Sequence, residues 1–394
     1  MPISALRAAE LLPIDHANAT LIGRVWLPGR HPGPTPVLLR DDGVFDLSAI
    51  APTTSQLLNL GNRLARIEAA YSAGLPRIAS IDDLAAATAS GEDNVLRFLA
   101  PCDLHAIKAS GVTFVSSMLE RVIEEQAQGD PTTAEEIRRA IGAEIGSNLK
   151  NIRPGSGEAA KVKESLLRRG LWSQYLEVGI GPDAELFTKA QPMAAVGVGA
   201  EVGIHPASRW NNPEPEIVLA ANSSGELAGV SIGNDVNLRD FEGRSALLLG
   251  RAKDNNASCA IGPFIRLLDA NFGIADVRRL TLHITIRGVD GFHAEGRCDL
   301  SHISRDPLDV LGQAINRNHQ YPDGLMLFLG TQFAPTQDRA EPGQGFTHHV
   351  GDEVSIYCDR IGRLVNTVNH TDAIPEWRYG FAELMAHLSR RGLL

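Results

Sequence analysis

Near the middle of the chain, two apolar runs separated by a short polar segment predict a β-hairpin. Two short apolar runs, at residues 217–221 and 227–232, flank the sequence Asn-Ser-Ser-Gly at 222–225. Asn, Ser and Gly are turn formers, and two apolar runs joined by such a turn are typical of paired antiparallel strands. A further run at 325–329 is apolar throughout, which predicts a fully buried strand.

Three acidic residues lie at the ends of this hairpin. Glu214 and Glu216 precede the first apolar run, and Asp235 follows the second. Side chains two residues apart on a strand point to the same face, and the return of the hairpin would bring Asp235 beside the glutamates. No basic residue lies between positions 217 and 238, so these carboxylates would repel each other if all were ionised. A hard divalent cation, Mg²⁺ with Mn²⁺ or Ca²⁺ as alternatives, would remove the repulsion. The other interpretation is that the glutamates form the solvated face of an edge strand.

The rest of the chain predicts an α+β fold with two domains. Residues 1–100 combine short strands with helical segments and contain no convergent chemistry, which predicts a small N-terminal α+β domain. Residues 101–394 then form the larger, catalytic domain. Within it, residues 129–175 are rich in charge and helix formers and predict a helical insertion. Such an insertion would act either as a lid over the site or as a surface or oligomer-packing element.

Composition narrows the class of protein. Hydrophobic residues make up 43% and charged residues 21% of the chain, which is ordinary for a globular enzyme. The formal net charge is −10 and no dense block of Lys and Arg is present, so neither nucleic acid nor a membrane is an expected partner. No apolar run approaches the ~20 residues that span a bilayer, and the N-terminus lacks the features of a signal peptide. Together with the 4 scattered cysteines, these features predict a cytoplasmic location.

Several motifs, taken in order, resemble the fumarylacetoacetate hydrolase superfamily. They are PEPEIVL at 213–219, GNDVNLRDFEGR at 233–244, KDNNASCAIGP at 253–263 and FLGT at 328–331. The resemblance covers about residues 109–368 and implies a catalytic domain built as a mixed β-sheet roll or sandwich. It also implies that the metal ligands are the E-x-E pair and the first Asp of the N-D-x-x-x-R-D motif, which are Glu214, Glu216 and Asp235 here.

The same resemblance implies further site residues. Lys253 opens the motif that ends in Gly-Pro, and Glu185 lies on a segment that resembles the family's F-x-K strand. Both are candidate bases: desolvation and a nearby cation would lower the pKa of Lys253. Glu185 would take a proton or hydrogen-bond the water around the metal, unless it is a plain surface carboxylate. The residues implied to bind substrate are Ser116, Ser117, Lys189, Arg239 and Thr331.

Some of these residues have a second interpretation. Lys189 would otherwise be a structural ion-pair partner, and Arg239 would pair with Asp240 instead of a substrate carboxylate. Ser116 or Ser117 also suits the N-cap of the helix that follows.

One position departs from the hydrolytic members of the superfamily. These carry a G-x-N-Y-x-x-H-x-x-E motif in which a His and a Glu activate water. Alignment on Gly111 places Ser117 at the His position and Glu120 at the Glu position. A serine hydroxyl has no pKa suitable for a base near neutral pH. The departure argues against simple hydrolysis of a C–C bond, and the chain resembles instead the branch that dehydrates 2-keto-3-deoxy-pentonates.

Resemblance to that branch implies a hydro-lyase of non-phosphorylative pentose catabolism, acting on an α-keto sugar acid of the 2-dehydro-3-deoxy-D-arabinonate type. Removal of a C3 proton would give a metal-stabilised enolate, which expels the 4-hydroxyl as water and yields 2-oxoglutarate semialdehyde. Two other functions stay open: a hydrolase or decarboxylase of 2,4-diketo acids, with Glu120 positioning water, and a non-catalytic α-keto-acid binding protein. The family also implies a homodimer or homotetramer.

Overall fold

The computed structural model describes residues 6–92, 94–128, 130, 133–134, 152–168, 172–333, 335, 337–339 and 345–394. The first helix expected in the insertion, after residue 131, lies largely outside the described residues. The second helix of the insertion is present at Gly157–Arg168.

Helices and strands alternate along the described chain. The helices are α1 (Ala8–Leu11), α2 (Thr54–Asn59), α3 (Arg63–Gly74), α4 (Ile81–Ser90), α5 (Val115–Gln126), α6 (Gly157–Arg168), α7 (Gln174–Ile180), α8 (Arg239–Glu242), α9 (Leu249–Lys253), α10 (Ile274–Val277), α11 (Pro307–Ala314) and α12 (Phe381–Arg390). The strands are β1 (Leu21–Leu27), β2 (Gly33–Arg40), β3 (Gly43–Asp46), β4 (Arg77–Ala79), β5 (Arg97–Leu99), β6 (Ala106–Gly111), β7 (Glu185–Ala190), β8 (Glu201–Ile204), β9 (Asn211–Asn212), β10 (Pro215–Ala221), β11 (Leu227–Asp235), β12 (Asn237–Leu238), β13 (Cys259–Leu267), β14 (Thr281–Arg287), β15 (His293–Asp299), β16 (Leu325–Phe328), β17 (Glu353–Cys358) and β18 (Gly362–His370). Within the described ranges, no helix has both the length and the apolar character needed to cross a membrane.

Two sheets enclose the main apolar core. The larger sheet, of eleven strands among the described residues, runs in the order β4-β3-β2-β1-β13-β11-β10-β16-β6-β7, with β5 paired to β1. The smaller sheet runs in the order β15-β14-β17-β18-β8. In the larger sheet β16 and β6 are parallel, and in the smaller one β18 and β8 are parallel, while their neighbours pair antiparallel. Ile217 of β10, Ile284 of β14 and Ile356 of β17 belong to one buried cluster. The mixed-sheet α+β fold expected from the sequence is confirmed.

The predicted hairpin is present as β10 and β11, inside the larger sheet. The two strands pair antiparallel over residues 215–221 and 227–234. In the turn, Gly225 has a φ of +81°, a left-handed conformation that glycine adopts without strain. From Ile217 onward, the odd-numbered residues of β10 pack into the main core and the even-numbered ones into a second apolar cluster. A strand packed on both faces gives the carboxylates at its end a fixed position.

The N-terminal residues join the same sheet. Strand β1 pairs antiparallel with β13. The buried guanidinium of Arg266, on β13, donates to the two carboxylate oxygens of Asp15 at 2.6 and 2.7 Å. Backbone pairing therefore runs across the boundary at residue 100, and the division of the chain into two domains there stays a prediction.

The helix that precedes the insertion begins earlier than the sequence predicts. Helix α5 starts at Val115 and has Phe114 in the N-cap position, so neither Ser116 nor Ser117 caps it. Phe114 is buried in the main core. Packing of this apolar side chain fixes the start of the helix in place of a hydroxyl cap.

Candidate metal and substrate site

The two ends of the hairpin bring three carboxylates together, as the sequence predicts. Glu214, Glu216 and Asp235 are 5%, 1% and 1% exposed. One oxygen of each lies within 4.8 Å of the others. The strand pairing explains this arrangement, because the backbone N–H of Asp235 donates to the carbonyl of Glu214 at 3.0 Å where the two strands end.

The cluster faces a narrow cleft. Strand β6 and the residues that follow it form one wall, and the start of β7 forms another. The lining residues are Ser110, Gly111, Val112, Arg121, Glu185, Phe187, Glu214, Glu216, Asp235, Glu242, Lys253, Gly330 and Thr331.

Lys253 binds two of the three carboxylates. Its Nζ donates to Oε2 of Glu214 and, at 3.0 Å, to Oδ2 of Asp235. Burial alone would lower the pKa of Lys253, but the carboxylates of Asp235, Glu214 and Glu242 outweigh burial and raise the pKa above the ordinary lysine value. Without a metal ion the direction is thus opposite to the one that desolvation and a nearby cation would give, and Lys253 is held as an ammonium.

Lys189 is buried against Asp235 and does not line the cleft. Its Nζ is 3.1 Å from Oδ1 of Asp235 and donates to the backbone carbonyl of Lys253. Burial would raise the pKa of Asp235, but Lys189 and Lys253 outweigh it and lower that pKa. Of the two roles left open by the sequence, this geometry is that of a structural ion-pair partner.

The two glutamates are tied to distant parts of the chain. Arg121 of α5 and the side-chain amide of Asn237 donate to Oε1 of Glu214, at 2.8 and 3.2 Å. The backbone N–H of Gly330 donates to Oε2 of Glu216 at 2.6 Å. Gly330 has a φ of +84°, which L side chains rarely adopt. The sequence does not predict the contact of Arg121 with the cluster.

The charges of the cluster fit a divalent cation. Burial and the neighbouring Asp235 and Glu214 raise the pKa of Glu216 well above its usual value. The ammonium of Lys253 already acts as a cation between two of the ligands. Carboxylate oxygens are the donors that Mg²⁺ prefers. Among the described residues in and beneath the cleft, five carboxyl groups face three basic side chains, an excess of two negative charges when all are ionised: Glu185, Glu214, Glu216, Asp235 and Glu242 against Arg121, Lys189 and Lys253.

Glu185, the second candidate base, lines the cleft at the start of β7. Burial, followed by the carboxylate of Glu242, raises the pKa of Glu185 to about 7. A carboxyl group with this pKa can accept and release a proton near neutral pH. Its position depends on Gly111, its partner on β6, because a Cβ at that position would collide with Oε2 of Glu185.

The cleft also contains one of the predicted substrate-binding residues, Thr331, which is 7% exposed. The side chains of Ser116 and Ser117 lie outside the described part of the chain, although their backbone belongs to α5. Their contact with a substrate stays a prediction.

Arg239 is not brought into the cleft. Its buried guanidinium lies 3.2 Å from the carboxylate of Glu120 and stacks over the ring of Trp210, 4.3 Å from the centroid. Asp240, the alternative partner expected from the sequence, accepts a hydrogen bond from the Ser208 hydroxyl at 2.8 Å. Arg239 therefore holds α8 in place, and the structure gives it no contact with the carboxylate cluster.

Comparison with known sequences identifies the family of this region. Residues 182–369 match the sequence model described as Fumarylacetoacetate (FAA) hydrolase C-terminal. A probable 2-keto-3-deoxyxylonate dehydratase of Haloferax volcanii is 29% identical over 211 residues, which are 54% of this chain and 68% of the relative. A 2-dehydro-3-deoxy-D-arabinonate dehydratase of Saccharolobus solfataricus is 30% identical over 184 residues, 47% of this chain and 58% of the relative.

Solved structures share the fold at lower identity. A 2-keto-3-deoxy-D-arabinonate dehydratase in its apo form superposes with a TM-score of 0.59 at 20% identity, over 89% of this chain and 99% of that chain. The form complexed with magnesium and 2,5-dioxopentanoate gives a TM-score of 0.58 at 21% identity and the same coverage of each chain. The ordered motifs, the fold and the matched residues together show that this chain contains, over residues 182–369, a domain of the fumarylacetoacetate hydrolase family.

Proposed function

We propose that the chain is a Mg²⁺-dependent dehydratase that converts a 2-keto-3-deoxy-pentonate into 2-oxoglutarate semialdehyde and water. The observation that carries the proposal is the buried cluster of Glu214, Glu216 and Asp235, with Lys253 and Glu185 on the same cleft. Two relatives bear the names of 2-keto-3-deoxyxylonate and 2-dehydro-3-deoxy-D-arabinonate dehydratases, which supports the substrate class. The alignment with the second covers 58% of its length, so the proposal depends on the site as well as on the names.

The three carboxylates would hold the metal ion. When bound there, Mg²⁺ supplies Lewis acidity, which makes the protons next to the ketone of a 2-keto acid easier to remove. The walls of the cleft include Val112 and Phe187, whose apolar side chains limit access of water to the reacting atoms.

Glu185 and Lys253 would divide the proton transfers between them. With a pKa of about 7, Glu185 is substantially ionised at neutral pH and can take the proton from C3. Lys253, which is held as an ammonium, would give a proton to the 4-hydroxyl as the C4–O bond breaks, so that the group leaves as water. The proton on Glu185 then restores Lys253, and the net loss from the substrate is one molecule of water.

The C5 hydroxymethyl group of a pentonate allows the dehydrated intermediate to tautomerise to the aldehyde. Loss of water leaves a double bond between C3 and C4, next to a hydroxymethyl group at C5. A shift of a proton from C5 to C3 gives an enol, and protonation of that enol at C4 leaves an aldehyde at C5. The product is a keto acid with a terminal aldehyde, 2-oxoglutarate semialdehyde, as expected in non-phosphorylative pentose breakdown.

The hydrolase alternative has less support at this site. Ser117 stands at the position of the water-activating histidine, and none of the described residues that line the cleft is a histidine. Glu120, at the position of the second member of that pair, binds Arg239 at 3.2 Å and does not line the cleft. The described part of the cleft therefore lacks the His and Glu pair that activates the hydrolytic water in those members.

The composition of the chain favours a particular compartment and class of substrate. The 4 cysteines are all free and buried, which suits a reducing compartment such as the cytoplasm. The net charge of −10 favours a free small-molecule substrate over nucleic acid or a membrane surface. Family resemblance favours a homodimer or homotetramer.

A direct assay tests the proposed reaction. The protein is incubated with Mg²⁺ and, separately, with each of the two C4 epimers of a 2-keto-3-deoxy-pentonate. At least one epimer should release 2-oxoglutarate semialdehyde, which can be trapped as a hydrazone and identified by mass spectrometry. Removal of the metal with EDTA should stop the reaction, and added Mg²⁺ should restore it. Release of pyruvate from a 2,4-diketo acid, without semialdehyde from either pentonate, would reject the dehydratase in favour of a hydrolase.

Replacing Gly111 with Ala should impair catalysis by displacing Glu185. The added methyl group would overlap the Glu185 carboxylate, so that side chain must rotate away from the substrate. We expect kcat to fall about 10²-fold, with Mg²⁺ affinity unchanged, as measured by steady-state kinetics and by metal titration. Gly312→Ala is the matched control, because a Cβ at that position of α11 meets no atom within 4 Å. Equal kinetics for the two variants would argue against Glu185 as the base.

A further inference from the structure

Among the described side chains, two ion pairs join α5 to α8 beside the cleft. Glu120 of α5 lies 3.2 Å from Arg239 of α8, and the next residue of α5, Arg121, lies 2.6 Å from Glu242 of α8. Each helix contributes one acid and one base, so the two pairs are crossed. The exposures of the four side chains range from 3% to 16%.

Only one of the two pairs faces the cleft. Arg121 and Glu242 line it, whereas Glu120 and Arg239 do not. Arg121 also donates to Glu214 at 2.8 Å, so its guanidinium lies between two carboxylates of the site. The carboxylate of Glu242 is one of the groups that raise the pKa of Glu185, which places its charge near the candidate base.

The basic side chains that line the described cleft are both bound to carboxylates. Lys253 bridges Glu214 and Asp235, and Arg121 bridges Glu214 and Glu242. When all carboxyl groups of the cluster are ionised, its excess negative charge equals the charge of a divalent cation, and a keto acid with one carboxylate adds one further negative charge. A second anionic group on the same molecule would enter a small, buried cleft in which both bases already have acidic partners, and like charges there repel strongly.

We propose that Glu242 is a specificity-determining residue: by occupying Arg121, it restricts the cleft to 2-keto acids that carry a single anionic group. The inference rests on the proposed function only for the ligand class, a 2-keto acid. Glu242 acts through Arg121 and not on the reacting atoms, so its part in the reaction itself is that of a positioning residue. The excluded ligands are keto acids whose tail ends in a phosphate or a second carboxylate.

Binding of two keto acids of similar size measures this selectivity without turnover. The probes are 2-oxohexanoate, which has one carboxylate, and 2-oxoglutarate, which has two. In calorimetric titrations of the Mg²⁺-loaded protein, the wild type should bind 2-oxohexanoate at least about tenfold more tightly. Glu242→Gln keeps the shape of the side chain but removes one of the two carboxylate partners of Arg121 and leaves its bond to Glu214. The preference should therefore fall at least about tenfold, through tighter binding of 2-oxoglutarate.

Two further variants separate charge from structure. Glu120→Gln weakens the other ion pair between the same helices, away from the cleft, and should leave the preference unchanged. Glu242→Asp keeps a carboxylate within reach of Arg121 and should retain most of the preference even if it lowers stability. Equal binding of both probes by the wild type, or an equal change in Glu120→Gln and Glu242→Gln, would show that Glu242 does not set specificity.

The dehydration assay separates this inference from the proposed function. If no semialdehyde forms but the wild type and the Glu242→Gln variant differ as expected in binding, the dehydratase is rejected and the specificity role stands. If semialdehyde forms but both proteins bind the two probes alike, the role of Glu242 is rejected and the dehydratase stands.

Discussion

Replacing Lys253 with Met should lower kcat/KM at least about 10³-fold while leaving Mg²⁺ bound, because the variant loses the proton donor but none of the carboxylates. Methionine retains most of the apolar length of lysine, so the cleft keeps its shape. The semialdehyde assay gives kcat/KM, and calorimetric titration gives the affinity for Mg²⁺. Unchanged turnover would remove Lys253 from the mechanism.

The same substitution should affect stability in a way that depends on the metal. Without Mg²⁺, Glu214 and Asp235 lose a buried cationic partner, and we expect the free energy of unfolding to fall by about 3–5 kcal/mol. Saturating Mg²⁺ should restore most of that loss, since it binds the folded state through the same carboxylates. Denaturant unfolding with and without Mg²⁺ measures both effects.

Lys189→Met is the matched control for this experiment. Lys189 is also fully buried and also binds Asp235, but it does not line the cleft. We expect a comparable loss of stability and a loss of turnover at least about tenfold smaller, because Lys189 cannot reach the substrate. If the two variants lose turnover equally, Lys253 acts only by holding Asp235, and the proton donor must be another group.

The carboxylate cluster is predictable from the sequence because local rules set its geometry. The turn at 222–225 folds the chain back, and the antiparallel pairing of β10 with β11 then places Asp235 beside Glu214. Each step depends on residues close in sequence, so no knowledge of the rest of the fold is needed. The burial of the hairpin follows in the same way from its continuous apolar runs.

The sequence does not predict side-chain contacts between segments that lie far apart in the chain. Arg121 reaches Glu214 because the fold brings α5 close to α8 and to the hairpin, a tertiary arrangement that no local pattern encodes. Arg239 lies four residues after Asp235 and looks suited to a substrate carboxylate, yet it is directed to Glu120 and the ring of Trp210. One signal in the sequence could have suggested the crossed pairs. Each helix carries an acidic and a basic residue close together, Glu120 and Arg121 in α5 and Arg239 and Glu242 in α8.

The direction of the pKa shift of Lys253 is likewise not predicted from the sequence. Burial and a metal ion lower a lysine pKa, and both can be expected from the motif. Three surrounding carboxylates raise it, and their number follows only from the folded site, where Glu242 joins Glu214 and Asp235. The raised pKa therefore reflects the contacts of Lys253 with Asp235 and Glu214 in the folded site, to which Glu242 adds a further negative charge.

Replacing Glu216 with Gln should abolish activity and make the metal-free protein more stable. Glu216 is buried beside Glu214 and Asp235, and its ionised form is disfavoured by burial and by both neighbours. A neutral amide of the same shape removes the repulsion and can still accept the hydrogen bond from the Gly330 N–H. We expect the free energy of unfolding without Mg²⁺ to rise by about 1–3 kcal/mol. The affinity for Mg²⁺ should fall at least about 10²-fold, because one of three anionic ligands is lost.

Denaturant unfolding and calorimetric Mg²⁺ titration give the two quantities, and their opposite directions distinguish a metal ligand from a structural carboxylate. Glu226→Gln, on the same hairpin but exposed and paired with Arg63, is the control and should change neither quantity appreciably. A metal-free Glu216→Gln protein that is less stable than the wild type would mean that Glu216 supports the fold through a favourable contact. In that case the excess negative charge of the cluster would not be the reason that it takes a divalent cation.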